Sequence, residues 1–376
     1  MKVIHLFRTS ASGYGLERNI LCTLPGLLER GIETVAVAVM EERADSPPPD
    51  FVRQLEGAGV RCIGIESKGR LPFALARCFS KIFRAEAPDI IHSHGYKCDL
   101  AMLLADTGGA VRMTTVHGWL SRGLRERFYE WLNVQCCKRF DRVIVFCEDY
   151  RRRLVSRGVR EHLVRVIPVG LDTAVVPREG TDCRKRWAVP EGGVLVAQLG
   201  RLSQEKHPET FVEIAVRLSD EFPDARFVLV GDGAMRATLE QTIASAGKSD
   251  AIMLAGYVVG MADVIDALDI VVSCSTTEGV PRTLLEAGAG AVPVVATDVG
   301  GVPDAVDDGV TGIICPPGDV RAIADGIRRL IKDAGLRARM GIAAKGRIAT
   351  VFSVDTCSQR LIDDYEILLS DPRAGA

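Results

Sequence analysis

The stretch Ser275 to Asp298, STTEGVPRTLLEAGAGAVPVVATD, predicts a loop, a helix and a buried strand in succession. Pro281 suits the first position of the helix, because the N–H that proline lacks would have no partner there. The amides of Arg282, Thr283 and Leu284 would then be free donors at the positive end of the helix dipole. A helix start of this kind binds anions and predicts a phosphate site.

Two acids flank this helix start, Glu278 in the loop and Glu286 two turns into the helix. Glu pairs with the same spacing recur at three other places in the chain, so the spacing alone predicts nothing. The context is more specific, because the small residues 287–290 let the helix pack closely on the strand predicted at Val292–Ala296. Amide donors beside carboxylates favour a ligand that carries both phosphates and hydroxyls, and a nucleotide-sugar fits that description.

Strands and helices alternate along the whole chain. Short continuous apolar runs separated by amphipathic helices predict parallel sheets that helices cover on both faces. The pattern runs from Val3–Phe7 to Val164–Pro168, loosens through Pro177 and Gly180, and restarts at Val194–Leu199. The sequence therefore predicts an α/β fold of two tandem Rossmann-like, doubly wound domains.

The length of the chain agrees with two domains, because 376 residues exceed one ordinary domain of about 100–200 residues. We expect the first domain at residues 1–172 and the second at residues 173–352. A last amphipathic helix, at about 353–376, is expected to pack back on the first domain.

The composition predicts the class of protein and its compartment. A hydrophobic content of 47% with 26% charged residues is typical of a soluble globular protein. The 11 cysteines form no C-x-x-C pair and no Cys/His cluster with zinc spacing, which favours free thiols in a reducing cytosol and predicts no metal site. The start MKVIHLF lacks a signal-peptide cleavage pattern, and no apolar run approaches the roughly 18–20 residues that span a bilayer. A cytoplasmic protein is expected.

Charge is distributed unevenly along the chain. Residues 1–175 carry 26 Lys and Arg against 20 Asp and Glu, whereas the remaining residues carry 21 against 29. Two basic stretches, Lys68–Arg84 and Arg122–Arg139, lie in the first half. Three phenylalanines interleave with the cations of the first stretch: Phe73, Phe79 and Phe83. The pattern is compatible with an anionic membrane surface as a partner, and also with helices that cover the sheet and turn a solvated face outward. Nothing in the sequence indicates nucleic-acid binding.

Loops that follow strands hold the candidate site residues, because α/β sheets bind ligands at the carboxyl ends of their strands. In RTSASGYGLERN, Gly13 and Gly15 allow the backbone to approach a phosphate or a sugar. In IHSHGYK, a structural role stays open for His92 and His94. In TTVHGW, His117 is better placed to hydrogen-bond a sugar hydroxyl or to orient a leaving group.

The segment QLGRLSQEKH places Gly200, Arg201 and Lys206 after a predicted strand. Two cations at a turn can clamp a diphosphate and neutralise the charge that grows on a departing nucleoside diphosphate. The alternative is a solvated basic loop in which Glu205 pairs with Lys206. Further along, the turn in VGDGA permits close approach to a base or ribose, and Glu286 could accept hydrogen bonds from both ribose hydroxyls.

The segments LGRLSQEKH, LVGDGA, AGY and TEGVPRTLLEAGAGAVPVVATDVGGVPD resemble the retaining family 4 glycosyltransferases, also called glycosyl transferases group 1. The first half of the chain adds SGYGLE, IHSHGYK, TVHGW and IPVGLD. The resemblance implies the GT-B fold, in which two Rossmann-like domains face each other across a cleft that holds the active site. The first domain would then bind the acceptor and the second a nucleotide-sugar donor.

The resemblance also implies roles for individual residues. Arg201 and Lys206 would bind the donor diphosphate, and Glu286 would bind the ribose. Glu278 would lie beside the transferred sugar, and His117 matches the active-site histidine of the family in its T-x-H-G motif. The implied catalytic residues are His117, Glu278, Arg201 and Lys206. The implied donor-binding residues are Gly13, Gly15, Gly200, Arg201, Lys206, Gly231, Tyr257, Glu278, Gly279, Arg282, Thr283, Leu284 and Glu286, and the acceptor side is assigned Tyr14, His94 and Trp119.

The activity that the resemblance implies is transfer of a sugar with retained configuration, without a bound metal and without any other cofactor. The donor would be a UDP- or GDP-sugar, and the acceptor a lipid-linked glycan or a polysaccharide of the cell envelope. A nucleotide-sugar epimerase on the same fold and a non-catalytic nucleotide-binding module remain the alternatives.

Overall fold

The computed structural model describes residues 1–9, 16–41, 50–67, 72–118, 123–172, 181–258 and 260–371. The chain divides into two compact units, Met1–Gly170 with Val354–Ala376 and Leu171–Ser353. Each unit is built on one parallel β-sheet with helices packed against it. The prediction of two Rossmann-like α/β domains is confirmed.

The first unit contains seven strands in its sheet. The strands are β1 (Lys2–Arg8), β2 (Glu33–Glu41), β3 (Arg61–Ser67), β4 (Ile90–His94), β5 (Val111–Val116), β6 (Arg142–Val145) and β7 (Val164–Val166). The helices between them are α1 (Leu16–Glu29), α2 (Asp50–Gly57), α3 (Pro72–Glu86), α4 (Tyr96–Leu103), α5 (Leu124–Cys137) and α6 (Glu148–Ser156), with a 3-10 turn at Glu161–Leu163.

The strand order of this sheet is β3-β2-β1-β4-β5-β6-β7, and every neighbouring pair is parallel. The chain reverses its direction of travel across the sheet between β1 and β4. All five residues of β4 are buried, although its sequence is IIHSH. Because a parallel sheet covered on both faces has no solvent side, the polar residues of β4 need partners inside the protein.

Asp99 of α4 provides one set of these partners. It accepts hydrogen bonds from Ser93 Oγ on β4 at 2.5 Å and from Thr114 Oγ1 on β5 at 2.7 Å. A third bond comes from Asn133 Nδ2 on α5 at 2.7 Å. Burial raises the pKa of Asp99 to about 6, while the three hydrogen bonds oppose the rise. The network ties together the two strands that lead to His94 and His117.

The second unit contains a sheet of six strands. The strands are β8 (Leu195–Leu199), β9 (Arg226–Val230), β10 (Ile252–Gly256), β11 (Ile270–Ser273), β12 (Val294–Thr297) and β13 (Gly312–Cys315). The helices are α7 (Thr181–Arg186), α8 (Pro208–Glu221), α9 (Arg236–Ser245), α10 (Met261–Ala267), α11 (Arg282–Ala289), α12 (Val302–Ala305), α13 (Val320–Lys332) and α14 (Ala334–Val351), with a 3-10 turn at Gln204–Lys206.

The strand order of the second sheet is β10-β9-β8-β11-β12-β13, again all parallel. The reversal point lies between β8 and β11, which are direct neighbours. All residues of β8 and β11 are buried, as their mainly apolar sequences predict. The loops after these two strands therefore leave the sheet side by side.

The last helix, α15 (Val354–Ser370), belongs to the first unit. Tyr365 is fully buried there, and its hydroxyl lies 2.8 Å from His92 Nδ1 on β4. Asp364 Oδ2 lies 3.0 Å from Arg142 Nε on β6. Both contacts hold α15 against the sheet that carries the histidines. Among the described residues, no helix combines the length and the apolar composition needed to cross a membrane.

Two details of the sequence predictions are corrected. Pro281 is the residue before α11 and not its first helical residue, and the following strand begins at Val294 rather than Val292.

In the first basic stretch, Phe79 and Phe83 of α3 are buried in the core. Helix periodicity places them on the inner face, so α3 covers the sheet and only its outer side is solvated.

Candidate functional site

Two loops meet at the reversal point of the second sheet. One follows β8 and contains Gly200, Arg201 and Lys206; the other follows β11 and contains Glu278. They are adjacent because β8 and β11 pair directly. The carboxyl edge of a doubly wound sheet at such a point forms a crevice that binds ligands.

An ion pair joins the two loops. Lys206 Nζ lies 2.5 Å from Glu278 Oε1, and the same oxygen accepts a hydrogen bond from Ser275 Oγ at 2.7 Å. The Glu278 side chain is only 8% exposed. The Lys206 carbonyl accepts a bond from Gln198 Nε2 at 2.7 Å, which fixes the backbone that carries the cation. The partner of Lys206 is thus the acid from the opposite loop.

The start of α11 lies next to this pair in the chain. The Leu284 amide donates to the Pro281 carbonyl at 3.0 Å, so the prediction that it is a free donor is wrong. Pro281 has an extended backbone and stands directly before α11. The carbonyl of a residue in this position faces the N–H groups of the first helical turn, and this bond therefore forms. That the amides of Arg282 and Thr283 are free donors stays a prediction.

The side chain of Arg282 gives a second indication of a ligand at this edge of the sheet. It is 20% exposed, and its Nε and Nη1 are buried without a hydrogen-bond partner among the described residues. The nearest acid is Glu286, whose Oε1 lies 3.9 Å from Arg282 Nε, too far for a hydrogen bond. Buried guanidinium N–H groups without partners are costly unless a ligand completes them. The sequence singled out Arg282 for its amide only.

Glycines bring the loop backbones into direct contact. Gly300, in the loop after β12, has φ +55°, and a Cβ there would lie 1.8 Å from the Glu278 carbonyl oxygen. Gly231, after β9, has φ +142°, and a Cβ there would lie 1.9 Å from the Gly200 carbonyl oxygen. Gly300 was not among the predicted site residues. The sequence feature that could have identified it is the Gly-Gly pair that follows β12.

The other predicted donor residues lie around the same edge. Arg201 is exposed directly after β8, and Tyr257 is exposed after β10. Gly279 accepts a hydrogen bond at its carbonyl from the Gly301 amide at 2.8 Å. Glu286 is half-buried on α11. Four predicted residues lie outside the described residues: Gly13, Tyr14, Gly15 and Trp119.

In the first unit, histidines collect at the reversal point of the sheet. His117 Nε2, after β5, lies 3.1 Å from His94 Nδ1 on β4, and His94 Nε2 lies 3.1 Å from His5 Nδ1 on β1. Burial lowers the pKa of His5 and of His117 to about 3, so both imidazoles are neutral near pH 7. His5 was missed by the sequence predictions, because nothing local shows that β1 pairs with β4.

Gly118 fixes the backbone beside His117. Its φ is +124°, a value that side chains disfavour, and a Cβ there would lie 2.6 Å from the Tyr150 hydroxyl. The backbone conformation and the close contact with Tyr150 therefore explain why this position of the T-x-H-G motif is a glycine in this chain. It allows the loop to turn directly after the histidine.

Comparisons with known proteins agree with this architecture. The family model for glycosyl transferases group 1 matches residues 181–347, and the model for glycosyltransferase family 4 matches residues 14–175. The 2-deoxystreptamine glucosyltransferase of Streptomyces kanamyceticus is 28% identical over 57% of this chain and 57% of its own length. The alpha-D-kanosaminyltransferase of the same organism is 32% identical over 49% of this chain and 48% of its own length. The chain thus spans about half the length of these curated relatives.

Solved structures with the same fold include that of Anabaena HepE. Anabaena HepE in complex with UDP superposes with a TM-score of 0.82 at 22% identity, covering 98% of this chain and 100% of its own. At this identity the likeness establishes the fold, and the expected GT-B fold is confirmed.

The close approach at Gly300 can be tested against a matched glycine. Gly309 has a similar φ of +72°, but a Cβ there would meet nothing within 4 Å. We expect Gly300→Ala to lower the free energy of unfolding by about 1–3 kcal/mol more than Gly309→Ala, because only the first adds a clash to the backbone strain. Urea denaturation of both variants measures the difference. Equal losses would show that Gly300 is needed for its φ alone.

Proposed function

Because the chain belongs to the family 4 glycosyltransferases, we propose that it transfers a sugar from a nucleoside-diphosphate sugar to an acceptor hydroxyl, with retention of configuration. The observation that carries the proposal is the cationic group at the reversal point of the second sheet. Lys206 lies in the loop after β8 and pairs with Glu278 of the loop after β11. Arg282 begins α11 directly after that second loop, and two of its buried guanidinium nitrogens have no hydrogen-bond partner among the described residues. This arrangement suits a diphosphate.

The charges of the site suggest how the leaving group is stabilised. When the bond between the sugar and the diphosphate breaks, negative charge grows on the phosphate oxygens. Arg201, Lys206 and Arg282 would neutralise that charge from fixed positions, which lowers the barrier without reorganisation. An incoming diphosphate would compete with Glu278 for Lys206, leaving the carboxylate to accept a hydroxyl hydrogen bond from the sugar.

The transfer itself needs one bond to break and one to form at the anomeric carbon. We propose that the acceptor oxygen bonds to the face that the diphosphate leaves, and that the acceptor proton passes to the departing phosphate oxygen. No carboxylate nucleophile is required in this scheme. Glu286, half-buried on α11, is positioned on the same helix as Arg282 and would accept hydrogen bonds from the ribose hydroxyls.

The relatives suggest which donor and acceptor classes to test. HepE was solved with UDP, which favours a UDP-sugar over a GDP-sugar for the first trial. The proposed acceptor is a lipid-linked glycan or polysaccharide of the cell envelope. One relative is named for 2-deoxystreptamine, so a small polyhydroxylated ring is the second acceptor class to test.

The diphosphate role of Lys206 is tested by Lys206→Gln, which keeps a hydrogen-bond donor near Glu278 but removes the charge. We expect the rate of transfer to fall about 100-fold or more, as for loss of one charge-stabilising donor. The measurement is release of nucleoside diphosphate coupled to product detection by mass spectrometry, with UDP- and GDP-sugars as donors.

The matched control is Lys248→Gln. Lys248 also pairs with an acid at 2.5 Å, Asp220, away from the loops described above. It should change neither transfer nor the melting temperature measurably. Wild-type turnover in Lys206→Gln would contradict the diphosphate assignment. Nucleotide binding without transfer to any acceptor would favour the non-catalytic module, and interconversion of the free donor would favour an epimerase.

A second prediction concerns metal ions. Because three protein cations supply the positive charge, we expect transfer to continue in excess EDTA at a rate within about twofold of the untreated enzyme. The measurement is the same transfer assay after chelation and gel filtration. Loss of activity that Mg²⁺ or Mn²⁺ restores would contradict metal-independent transfer.

We also propose that the first unit binds an anionic membrane surface from the cytoplasmic side through α5. Leu124, Phe128 and Trp131 are 86%, 55% and 56% exposed. They recur at helical spacing and so share one face, and the rings of Phe128 and Trp131 stack at 5.9 Å. Arg125 and Arg127 on the same helix are exposed and would meet lipid phosphates.

Vesicle sedimentation tests this surface. Phosphatidylglycerol-containing vesicles should bind the wild-type protein in low salt and release it in high salt, because the basic residues are screened. Phe128→Ser with Trp131→Ser should weaken binding about tenfold or more, since the two exposed aromatic rings that would enter the lipid are lost. Phe73→Ser, on the exposed side of α3, is the control and should bind like wild type. Equal binding by all three proteins would contradict a role for α5.

A further inference from the structure

His117, His94 and His5 form a line of imidazoles joined through their ring nitrogens. His117 Nε2 faces His94 Nδ1 at 3.1 Å, and His94 Nε2 faces His5 Nδ1 at 3.1 Å. A contact of this length is a hydrogen bond only if one nitrogen carries a hydrogen and the other does not. The position of the hydrogen on each ring therefore constrains the next ring.

All three rings are neutral near pH 7. Burial lowers the pKa of His5 and of His117 to about 3 and holds the pKa of His94 well below its ordinary value. A neutral imidazole has a single N–H, so it donates from one nitrogen and accepts at the other. Both hydrogen bonds must then point the same way along the line, either outward from His5 or inward from His117.

The inner end of the line decides between the two directions. His5 is fully buried, and its Nε2 has no hydrogen-bond partner among the described residues. The inward direction places an N–H at that atom, and a buried N–H without an acceptor costs about 1–3 kcal/mol. The outward direction leaves an unpaired acceptor nitrogen there, which also costs free energy, but unpaired buried acceptors are more common in proteins than unpaired buried N–H groups. The outward direction ends with a hydrogen on His117 Nδ1.

His92 supports the line without joining it. Its ring stacks on His94 with centroids 4.5 Å apart, its Nδ1 contacts the Tyr365 hydroxyl at 2.8 Å, and its Nε2 contacts Thr115 Oγ1 at 2.7 Å. The ring nitrogens of His5, His92 and His94 lie within 4.8 Å of one another, a spacing that could hold a metal ion. Such an ion would have to replace hydrogen bonds of His92 and His94, whose ring nitrogens are all engaged, so the contacts favour the hydrogen-bonded line.

We propose that His94 and His5 are positioning residues that hold His117 in the tautomer with its hydrogen on Nδ1. The inference rests on the proposed function and specifies the role of His117 within it. Because Nε2 of His117 is engaged by His94, its Nδ1 presents a donor, and His117 donates a hydrogen bond to a ligand oxygen at the carboxyl edge of the first sheet. It does not act as a base toward the acceptor hydroxyl.

The tautomer can be read directly by NMR. In the full chain labelled with ¹⁵N-histidine, the two nitrogens of a neutral ring differ in shift according to which one carries the hydrogen, and His117→Asn assigns the ring. We expect wild-type His117 to carry its hydrogen on Nδ1. A hydrogen on Nε2 overturns the proposal, and this spectrum needs no variant of His94.

Two substitutions of His94 separate positioning from packing. In His94→Asn the amide can stand in for Nδ1–H and still donate to His117, whereas His94→Leu offers nothing. We expect His94→Leu to move the hydrogen of His117 to Nε2 and to slow transfer about 10- to 100-fold, and His94→Asn to keep the wild-type tautomer and most of the rate. The exposed His162→Gln is the control and should match wild type. An unchanged tautomer and rate in His94→Leu overturns the proposal.

The experiment also separates this inference from the proposed function. The expected tautomer in a protein that transfers no sugar would contradict the proposed function and leave the positioning role standing. Transfer at the wild-type rate by a protein whose His117 carries its hydrogen on Nε2 would do the reverse. Stoichiometric Zn²⁺ that displaces the His5, His92 and His94 resonances at micromolar concentration would assign the cluster to a metal and overturn the hydrogen-bonded line.

Discussion

Burial of both faces of each parallel sheet is the constraint on which the rest of the structure depends. A polar side chain inside such a strand has no access to water, so it must find a partner in the protein. In the first unit, His5 and His94 share a hydrogen bond, and His92 bonds to the hydroxyls of Tyr365 and Thr115. The same burial keeps their rings neutral, since a charged imidazole would lose its hydration. Neutral rings, each with a single N–H, follow from that single condition.

The carboxyl edges of the sheets are where this constraint ends. There the backbone leaves the sheet, and charged side chains can keep part of their surface in contact with water. Lys206 and Glu278 meet at this edge in the second unit, and Ser275 adds a hydrogen bond that fixes the acid. An ion pair of this kind adds little net stability, because desolvation offsets the attraction. Its effect is to hold a cation in a defined position, which suits the binding of an anionic ligand.

Much of the fold could be predicted, because local patterns report burial. Apolar runs and amphipathic helices sufficed for two Rossmann-like domains, and the loop, helix and strand of residues 275–298 formed as expected, with small shifts in their ends. The details of contact were less accessible. The Leu284 amide is bonded to Pro281, and two of the three phenylalanines that interleave with the cations of α3, Phe79 and Phe83, are buried in the core. The sequence shows the hydrophobic period of a helix, but it does not show which part of the protein lies against each face of that helix.

The sequence by itself determined the alternation of strands and helices, the two domains, and the loops in which candidate residues lie. Only the tertiary structure decided which side chains meet. Lys206 and Glu278 are 72 residues apart, and His5 and His94 are 89 apart. Their contacts exist because β8 pairs with β11 and β1 pairs with β4. Strand order depends on how all helices pack over the sheet at once, and no local stretch of sequence carries that information.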